Sequence, residues 1–180
     1  MWWRNSLRIA AVVAVGALNA ACFQPLYASR SVSGTPLGTQ LAQVEVDHIP
    51  AANGTPESRV AVELQEALKF ELNGGSGTIS PTHRIAVRMT LGRSSIITDA
   101  TTGRTQAEIT GIDASFTLTE LATGKAVMAG RTFTRVSSEY PGQQQRFARV
   151  RARLDAETRA AKVIAENVRT RVASFFVAGT

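Results

Sequence analysis

The chain has 180 residues, of which 44% are hydrophobic and 6% aromatic, and its 20 Lys and Arg exceed its 14 Asp and Glu. This length suits a single folded domain with its own core, and the lone cysteine, Cys22, excludes an intramolecular disulfide. Both tryptophans, Trp2 and Trp3, lie at the start of the chain, so the remainder has few of the large rings that stack on bases. We therefore expect no nucleic-acid partner.

The first 21 residues have the pattern of an export leader. Arg4 and Arg8 precede an apolar run from Ile9 to Leu18, which is the order of charge and hydrophobicity in a secretory signal peptide. The run is shorter than the roughly 20 apolar residues that span a bilayer. We predict that residues 1–21 are a lipoprotein signal peptide that is removed.

Cys22 follows the small residues Ala20 and Ala21 at the end of this leader. A cysteine in that place is typical of bacterial lipoproteins, in which the thiol receives a diacylglyceryl group and the new N-terminus an acyl chain such as palmitate. Asn19 stands where leucine is usual. We predict a lipid anchor at Cys22, and the alternative is a soluble periplasmic protein with a free thiol.

Residues 22–40 are predicted to be a lipidated N-terminus and flexible tether, because Ala28 to Gln40 is rich in Ser, Gly, Thr and Pro without an apolar period. A single globular domain is predicted over residues 41–180. Without the two leader arginines, 18 basic residues remain against 14 acidic ones, a net charge of +4. Outside the cytoplasm, a basic surface suits anionic lipid headgroups and the phosphates of lipopolysaccharide.

The domain begins with a strand and a helix. Ala42, Val44 and Val46 alternate with polar residues, which predicts a half-buried strand starting near Leu41 and ending before Pro50. A helix is then predicted from Pro56 to the Asn73-Gly74-Gly75 stop, because apolar residues recur at helical spacing at Val60, Leu64, Ala67, Leu68 and Leu72.

Three strands follow as a meander. The second alternates from His83 to Leu91, with a bulge or bend expected at Gly92. A hairpin connection at residues 99–103 leads to a third strand from Arg104 to Thr119, in which Gly111 is expected to shift the register. The fourth strand runs from Ala126 to Ser138, with its core face predicted at Val127, Ala129 and Phe133.

A long amphipathic helix closes the domain. Its apolar positions step by three, four or seven residues and are Phe147, Val150, Leu154, Ala161, Ile164, Val168, Val172 and Phe175. The order β-α-β-β-β-α predicts an α+β fold with two helices packed on one face of a mostly antiparallel four-stranded sheet. The first strand can join the sheet in either orientation.

The chain resembles the LptE family of lipopolysaccharide-assembly lipoproteins, particularly its alphaproteobacterial branch, over nearly the whole mature sequence. The resemblance rests on Cys22 to Tyr27, which reads Cys-Phe-Gln-Pro-Leu-Tyr, on the element order, and on the strand-entry segment Gly103 to Glu108. Family members often have a glycine after the cysteine, which is missing here.

The resemblance implies a non-enzymatic partner of the β-barrel translocon LptD that lies in the barrel lumen, assists its assembly and contacts lipopolysaccharide. It also implies that Arg104, at the hairpin tip, is a basic position for lipopolysaccharide, since arginine binds phosphate through a planar fork. Arg88 and Arg93 share the preceding strand and are further candidates, and Arg131 and Arg135 could extend a basic strip. An exposed, solvated face is the alternative for each. Phe23 after the cysteine implies an outer-membrane destination.

A catalytic or metal site is not predicted. The two histidines, His48 and His83, are interpreted as packing at strand ends, and no nucleophile, metal-ligand or phosphate-loop motif is present. No cofactor is expected apart from the covalent lipid. The alternative function is a free-standing periplasmic lipid-binding lipoprotein that serves a phospholipid transport system.

Overall fold

The computed structural model describes residues 32, 34–78, 80–98, 100, 103, 105–139 and 146–179. These residues form three helices and four strands in the order α-β-α-β-β-β-α. In chain order the elements are α1 (Leu37–Ala42), β1 (Val44–Val46), α2 (Pro56–Asn73), β2 (His83–Thr98), β3 (Thr105–Glu120), β4 (Ala126–Glu139) and α3 (Arg146–Ala178).

The four strands form one sheet in the order β1-β2-β3-β4. β1 pairs with β2 in parallel, with Val44 opposite His83, and the other two pairings are antiparallel. The sequence left the orientation of β1 open, and the structure decides it: α2 carries the chain from β1 back to the start of β2. The predicted α+β class and the mostly antiparallel four-stranded sheet are confirmed.

The ends of α2 show why the helix begins and stops where predicted. Thr55 is the N-cap residue, and its hydroxyl oxygen accepts a hydrogen bond from the Ser58 N–H at 3.2 Å. Pro56 occupies the first helical turn, where a missing N–H does no harm. Gly74 ends the helix in the left-handed conformation at φ 67°, which glycine adopts without strain.

The N-terminal edge of the fold differs from the prediction. Leu37 and Leu41 are almost fully buried in α1 and belong to the core cluster, so Leu37 to Gln40 pack with the domain rather than forming tether. Ala42 ends this helix, and the strand is only Val44–Val46. The prediction relied on the Ser, Gly and Thr content of the segment and overlooked Leu37 and Leu41, whose spacing of four residues is that of one helical turn.

The long β2-β3 pairing also corrects two expectations. Gly92 lies directly opposite Gly111 in regular register, so neither glycine forms a bulge. The irregularity falls further along, between Ser95 and Thr98. The β2-β3 ladder therefore runs without interruption across the part of the sheet covered by the helices.

The predicted core face of β4 was only partly right. Val127 packs against the core, but Phe133 is 69% exposed. Thr132 and Thr134 take the core-facing positions instead, with Thr132 opposite the buried Ala114. The Thr132 hydroxyl accepts a hydrogen bond from the Asn167 side-chain amide on α3 at 3.2 Å, which satisfies a buried polar group.

α2 and α3 pack on the same face of the sheet and run in parallel. Arg59 pairs with Glu157, and twelve residues further along both helices Glu71 pairs with Arg169 at 3.1 Å. The helices and the sheet bury one continuous apolar cluster, which includes Val60, Leu64, Leu68, Ile85, Ile112, Leu118, Ile164, Val168 and Val172. No helix in the described ranges has both the length and the apolar character needed to cross a membrane.

The apolar stripe predicted along α3 is buried only from Ala156 onward. Ala161, Ile164, Val168 and Val172 lie in the core as predicted. At the start of the helix, however, the predicted core residues Phe147, Val150 and Leu154 are exposed.

Candidate functional site

The sheet face that points away from the helices is called the open face. Across its centre, Arg88 of β2 and Arg131 of β4 flank Ser115 of β3, because Ser115 is the register partner of both. Neighbouring strands lie about 4.8 Å apart, so the two arginine backbones are about 10 Å apart. All three residues are exposed, and neither arginine forms an ion pair with another described residue.

A shallow groove of about 590 Å³ runs over this row. Its lining includes Arg88, Thr90, Asp113, Arg131 and the exposed ring of Phe133. The groove thus offers two guanidinium groups, hydroxyl groups and one aromatic surface. That combination suits an anionic group attached to a sugar or a short apolar segment.

The charge of Arg135, on the same face, is already matched. Its guanidinium group donates two hydrogen bonds to the Asp113 carboxylate at 3.0 and 2.9 Å and lies 5.6 Å from the centre of the Phe133 ring. Its side chain crosses Gly111, where an added Cβ would come within 2.8 Å of it. The absence of a side chain at Gly111 therefore makes room for the Arg135 side chain, and Gly111 does not shift the register.

Arg93 lies on the other face of β2, in an ion-pair network between the sheet and α3. Glu157 is 2% exposed and accepts hydrogen bonds from Arg93 and, at 2.6 Å, from Arg59. Arg93 also approaches Glu108 of β3, which pairs with Arg153 at 3.0 Å. The network holds the buried Glu157 charge with several donors, as a buried carboxylate requires.

The predicted site residues are thus separated. Arg88 is on the open face, whereas Arg93 is on the helix-facing side, where two carboxylates offset its charge. Strand alternation contained this signal, since Arg93 shares the phase of the inward-facing Ile85 and Val87. Arg104 and Cys22 lie outside the described residues. Sequence analysis missed Ser115 and Glu157, which carry no motif.

The two histidines have different environments. The His83 ring packs edge-on against Phe176, with 5.1 Å between ring centres, and burial lowers the pKa of His83 below 6.5 while Glu120 opposes that shift. Packing at a strand end is confirmed for His83. His48 is exposed in the loop after β1, so the packing interpretation was wrong for it. Among the described residues, no three His, Cys, Asp or Glu side chains form a cluster suited to a metal ion.

Comparisons with known structures recover the same fold. A candidate lipoprotein from Caulobacter crescentus CB15 superposes with a TM-score of 0.62 at 17% identity, covering 80% of this chain and 97% of that one. A minor lipoprotein from Acinetobacter baumannii gives a TM-score of 0.51 at 12% identity, covering 73% of this chain and 90% of that one. At these identities the likeness concerns the fold alone. No curated protein matches the sequence significantly.

The family comparison is more specific. The model of the LptE family, described as lipopolysaccharide-assembly, matches residues 41–172. That range holds β1 to β4, α2 and most of α3, and so includes the open face and the Glu157 network. The chain therefore belongs to the LptE family of lipopolysaccharide-assembly proteins.

Proposed function

We propose that this protein is the lipoprotein subunit of an outer-membrane lipopolysaccharide translocon, where it plugs the LptD β-barrel and assists its assembly without catalysing a reaction. The observation that carries the proposal is the match of the LptE family model to residues 41–172. The geometry adds a physical reason. A plug needs a filled core and a polar outside, because barrel interiors are polar.

The open face supplies such an outside. Its two central register rows are Arg88–Ser115–Arg131 and Thr90–Asp113–Phe133, so five of these six residues are polar or charged. Two of its charged groups, Arg135 and Asp113, neutralise each other. A surface of this kind can exchange hydrogen bonds with the polar wall of a barrel, while the apolar cluster on the other side of the sheet stabilises the fold.

Direct contact with lipopolysaccharide is proposed at Arg88 and Arg131. Their guanidinium groups reach the same groove and face no carboxylate as an ion-pair partner among the described residues. Phosphate accepts paired hydrogen bonds from a guanidinium fork, so two such groups over one groove suit a phosphorylated sugar. Arg104 stays a proposed lipopolysaccharide contact at the hairpin. Arg93 is proposed to stabilise the fold through its ion pairs with Glu108 and Glu157 rather than to contact lipopolysaccharide.

The proposal includes a lipid anchor on Cys22 and an outer-membrane location facing the periplasm. Each buried methylene of an acyl chain contributes about 0.8 kcal/mol, so two or more chains hold a protein stably at a membrane. In this proposal the residues between Cys22 and Val32 connect the anchor to the domain, because the Val32 N–H donates a hydrogen bond to the Phe176 carbonyl oxygen at 3.1 Å.

The test is affinity purification from solubilised native membranes. It compares the wild type with an Arg88→Glu/Arg131→Glu double variant and with Arg171→Glu, a control at an exposed position of α3. We expect the wild type and the control to recover the barrel protein with bound lipopolysaccharide, and the double variant to carry much less lipopolysaccharide per copy of recovered barrel protein. Equal lipopolysaccharide in all three would exclude the open-face contact. Failure of the wild type to recover a barrel would remove the translocon assignment.

A further inference from the structure

The first nine residues of α3, here called the α3 tip (residues 146–154), present an uncovered apolar stripe. Phe147 is 88% exposed, Val150 52% and Leu154 37%. Their spacing of three and then four residues places them on one side of the helix. An exposed phenylalanine at a protruding helix end is unusual enough to need a cause, since burying one contributes roughly 1.5–3 kcal/mol.

The stripe is exposed because α3 begins before α2 does along their shared direction, so its first residues have no α2 beside them. Glu157 of α3 pairs with Arg59 of α2. Leu154 lies three residues before Glu157, and Pro56, the first residue of α2, lies three residues before Arg59, so Leu154 is level with the start of α2. The helices are parallel, so residues 146–153 extend beyond α2 by about 12 Å at a rise of roughly 1.5 Å per residue. The tip therefore projects from the end of the helical layer.

The tip is also strongly basic. By sequence it contains four arginines and no acidic residue. Arginines in this place do not stabilise the helix itself, because the helix dipole favours negative charge at a helix N-terminus. Arg151 is exposed and adjoins Phe147 and Leu154 on the helix surface, at spacings of four and three residues. This charge pattern favours contact with an anionic partner.

A small polar cavity of about 250 Å³ lies between the tip and the sheet. Its lining includes Arg149 and Arg153 from the tip, Arg93 and the hydroxyls of Ser94 and Ser95 from β2, and Thr105 and Glu108 from β3. The Glu108 carboxylate pairs with Arg153, Arg93 pairs with Glu157, and Arg149 donates a hydrogen bond to the Thr105 carbonyl oxygen at 3.3 Å. Guanidinium and hydroxyl donors around one cavity suit a phosphate group.

We propose that the α3 tip binds the surface of an anionic phospholipid bilayer, with Phe147, Val150 and Leu154 at the level of the headgroups and acyl chains and the exposed Arg151 on lipid phosphate. A basic helix segment with an apolar stripe is the pattern of membrane-surface helices. A second copy of the chain is disfavoured, because two tips with four arginines each would repel. The contact orients the domain on the bilayer and is independent of the barrel partnership.

The position of the tip is measured with Phe147→Trp in the full chain, with Trp2 and Trp3 both replaced by phenylalanine so that the introduced ring is the sole tryptophan. The matched control is Phe70→Trp in the same background, since Phe70 is 65% exposed near the other end of the parallel helix α2. Each protein is mixed with vesicles of phosphatidylcholine alone or of phosphatidylcholine and phosphatidylglycerol in equal amounts. The anionic vesicles are expected to blue-shift the emission of the Phe147→Trp protein, and acyl-chain nitroxides to quench it. The Phe70→Trp protein is expected to show neither effect.

The charge contribution is measured by vesicle flotation of Arg151→Glu, with Arg171→Glu near the far end of α3 as control. Loss of one basic residue near an anionic surface weakens binding about fivefold, and the added carboxylate weakens it further. Arg151→Glu should therefore bind the anionic vesicles at least about fivefold more weakly, whereas Arg171→Glu should match the wild type. The proposal is overturned if the emission of the Phe147→Trp protein is unchanged, if it shifts equally in neutral vesicles, or if it shifts only when another envelope protein is added.

Discussion

Gly130 on β4 is the position where the packing of the sheet against the helices is most sharply tested. It is the register partner of Phe116, whose ring is 2% exposed and lies over it. An added Cβ would come within 2.6 Å of the Phe116 ring. Real Cβ contacts need more than 3.0 Å, so Gly130→Ala must displace a buried ring within the core cluster.

The magnitude follows from two opposing effects. Overpacking a core by one methyl group destabilises by about 1–3 kcal/mol, whereas replacing a strand glycine by alanine stabilises by about 0.5–1 kcal/mol. Gly92→Ala, on β2, shares only the second effect, because no atom lies within 4 Å of its Cβ position. We expect Gly130→Ala to unfold with a free energy about 1–3 kcal/mol below that of Gly92→Ala.

Urea denaturation followed by circular dichroism gives the free energy of unfolding of the two variants and the wild type. Thermal melts supply a second measure, at about 2–4 °C per kcal/mol for a domain of this size. Stabilities for Gly130→Ala and Gly92→Ala that agree within about 0.5 kcal/mol would show that Phe116 does not pack over Gly130.

Three further outcomes are expected. Glu157→Gln should lower the free energy of unfolding by about 1–3 kcal/mol, because it removes the charge that accepts two arginine donors; Asp155→Asn, in an exposed ion pair, should change it by less than about 0.5 kcal/mol in the same urea titration. Because burial lowers the pKa of His83, the unfolded chain takes up a proton at a higher pH than the folded chain, and the free energy of unfolding should fall as pH drops below 6.5. Urea denaturation at pH values from about 5 to about 7.5 should show a flatter pH profile for His83→Asn than for the wild type. Cys22→Ala should accumulate as an unlipidated precursor, and intact-mass analysis of a processed but unacylated wild-type protein would refute the anchor.

Sequence periodicity predicted the long elements well, because each buries one regular face. The helix of α2, with its Thr55 and Gly74 ends, and the meander of β2 to β4 follow directly from spacing and turn residues. The orientation of β1 was beyond periodicity, since a strand of three residues pairs with its neighbour according to the path of α2.

The errors came from information that a single segment does not contain. The stripe of α3 is periodic from Phe147 onward, but its burial depends on where α2 begins, which is level with Leu154. Likewise Phe133 has the hydrophobicity of a core residue, and only the pairing with β3 shows that Thr132 holds the core position.

The candidate site was predicted only in part, because its geometry also depends on how separate segments pair. Arg88 could be assigned to an outward position by alternation, but its relation to Arg131 through Ser115 required the register of three strands. Arg93 could have been separated from Arg88 by its phase alone. Its partner Glu157 lies 64 residues away on α3 and carries no local signal.

Native mass spectrometry of the complex purified from solubilised membranes tests whether this chain is a subunit of a β-barrel translocon. We expect an assembly of one copy of this chain with one β-barrel protein, stable through purification and carrying lipid on Cys22. Recovery of the chain alone, with no barrel protein bound, would contradict it.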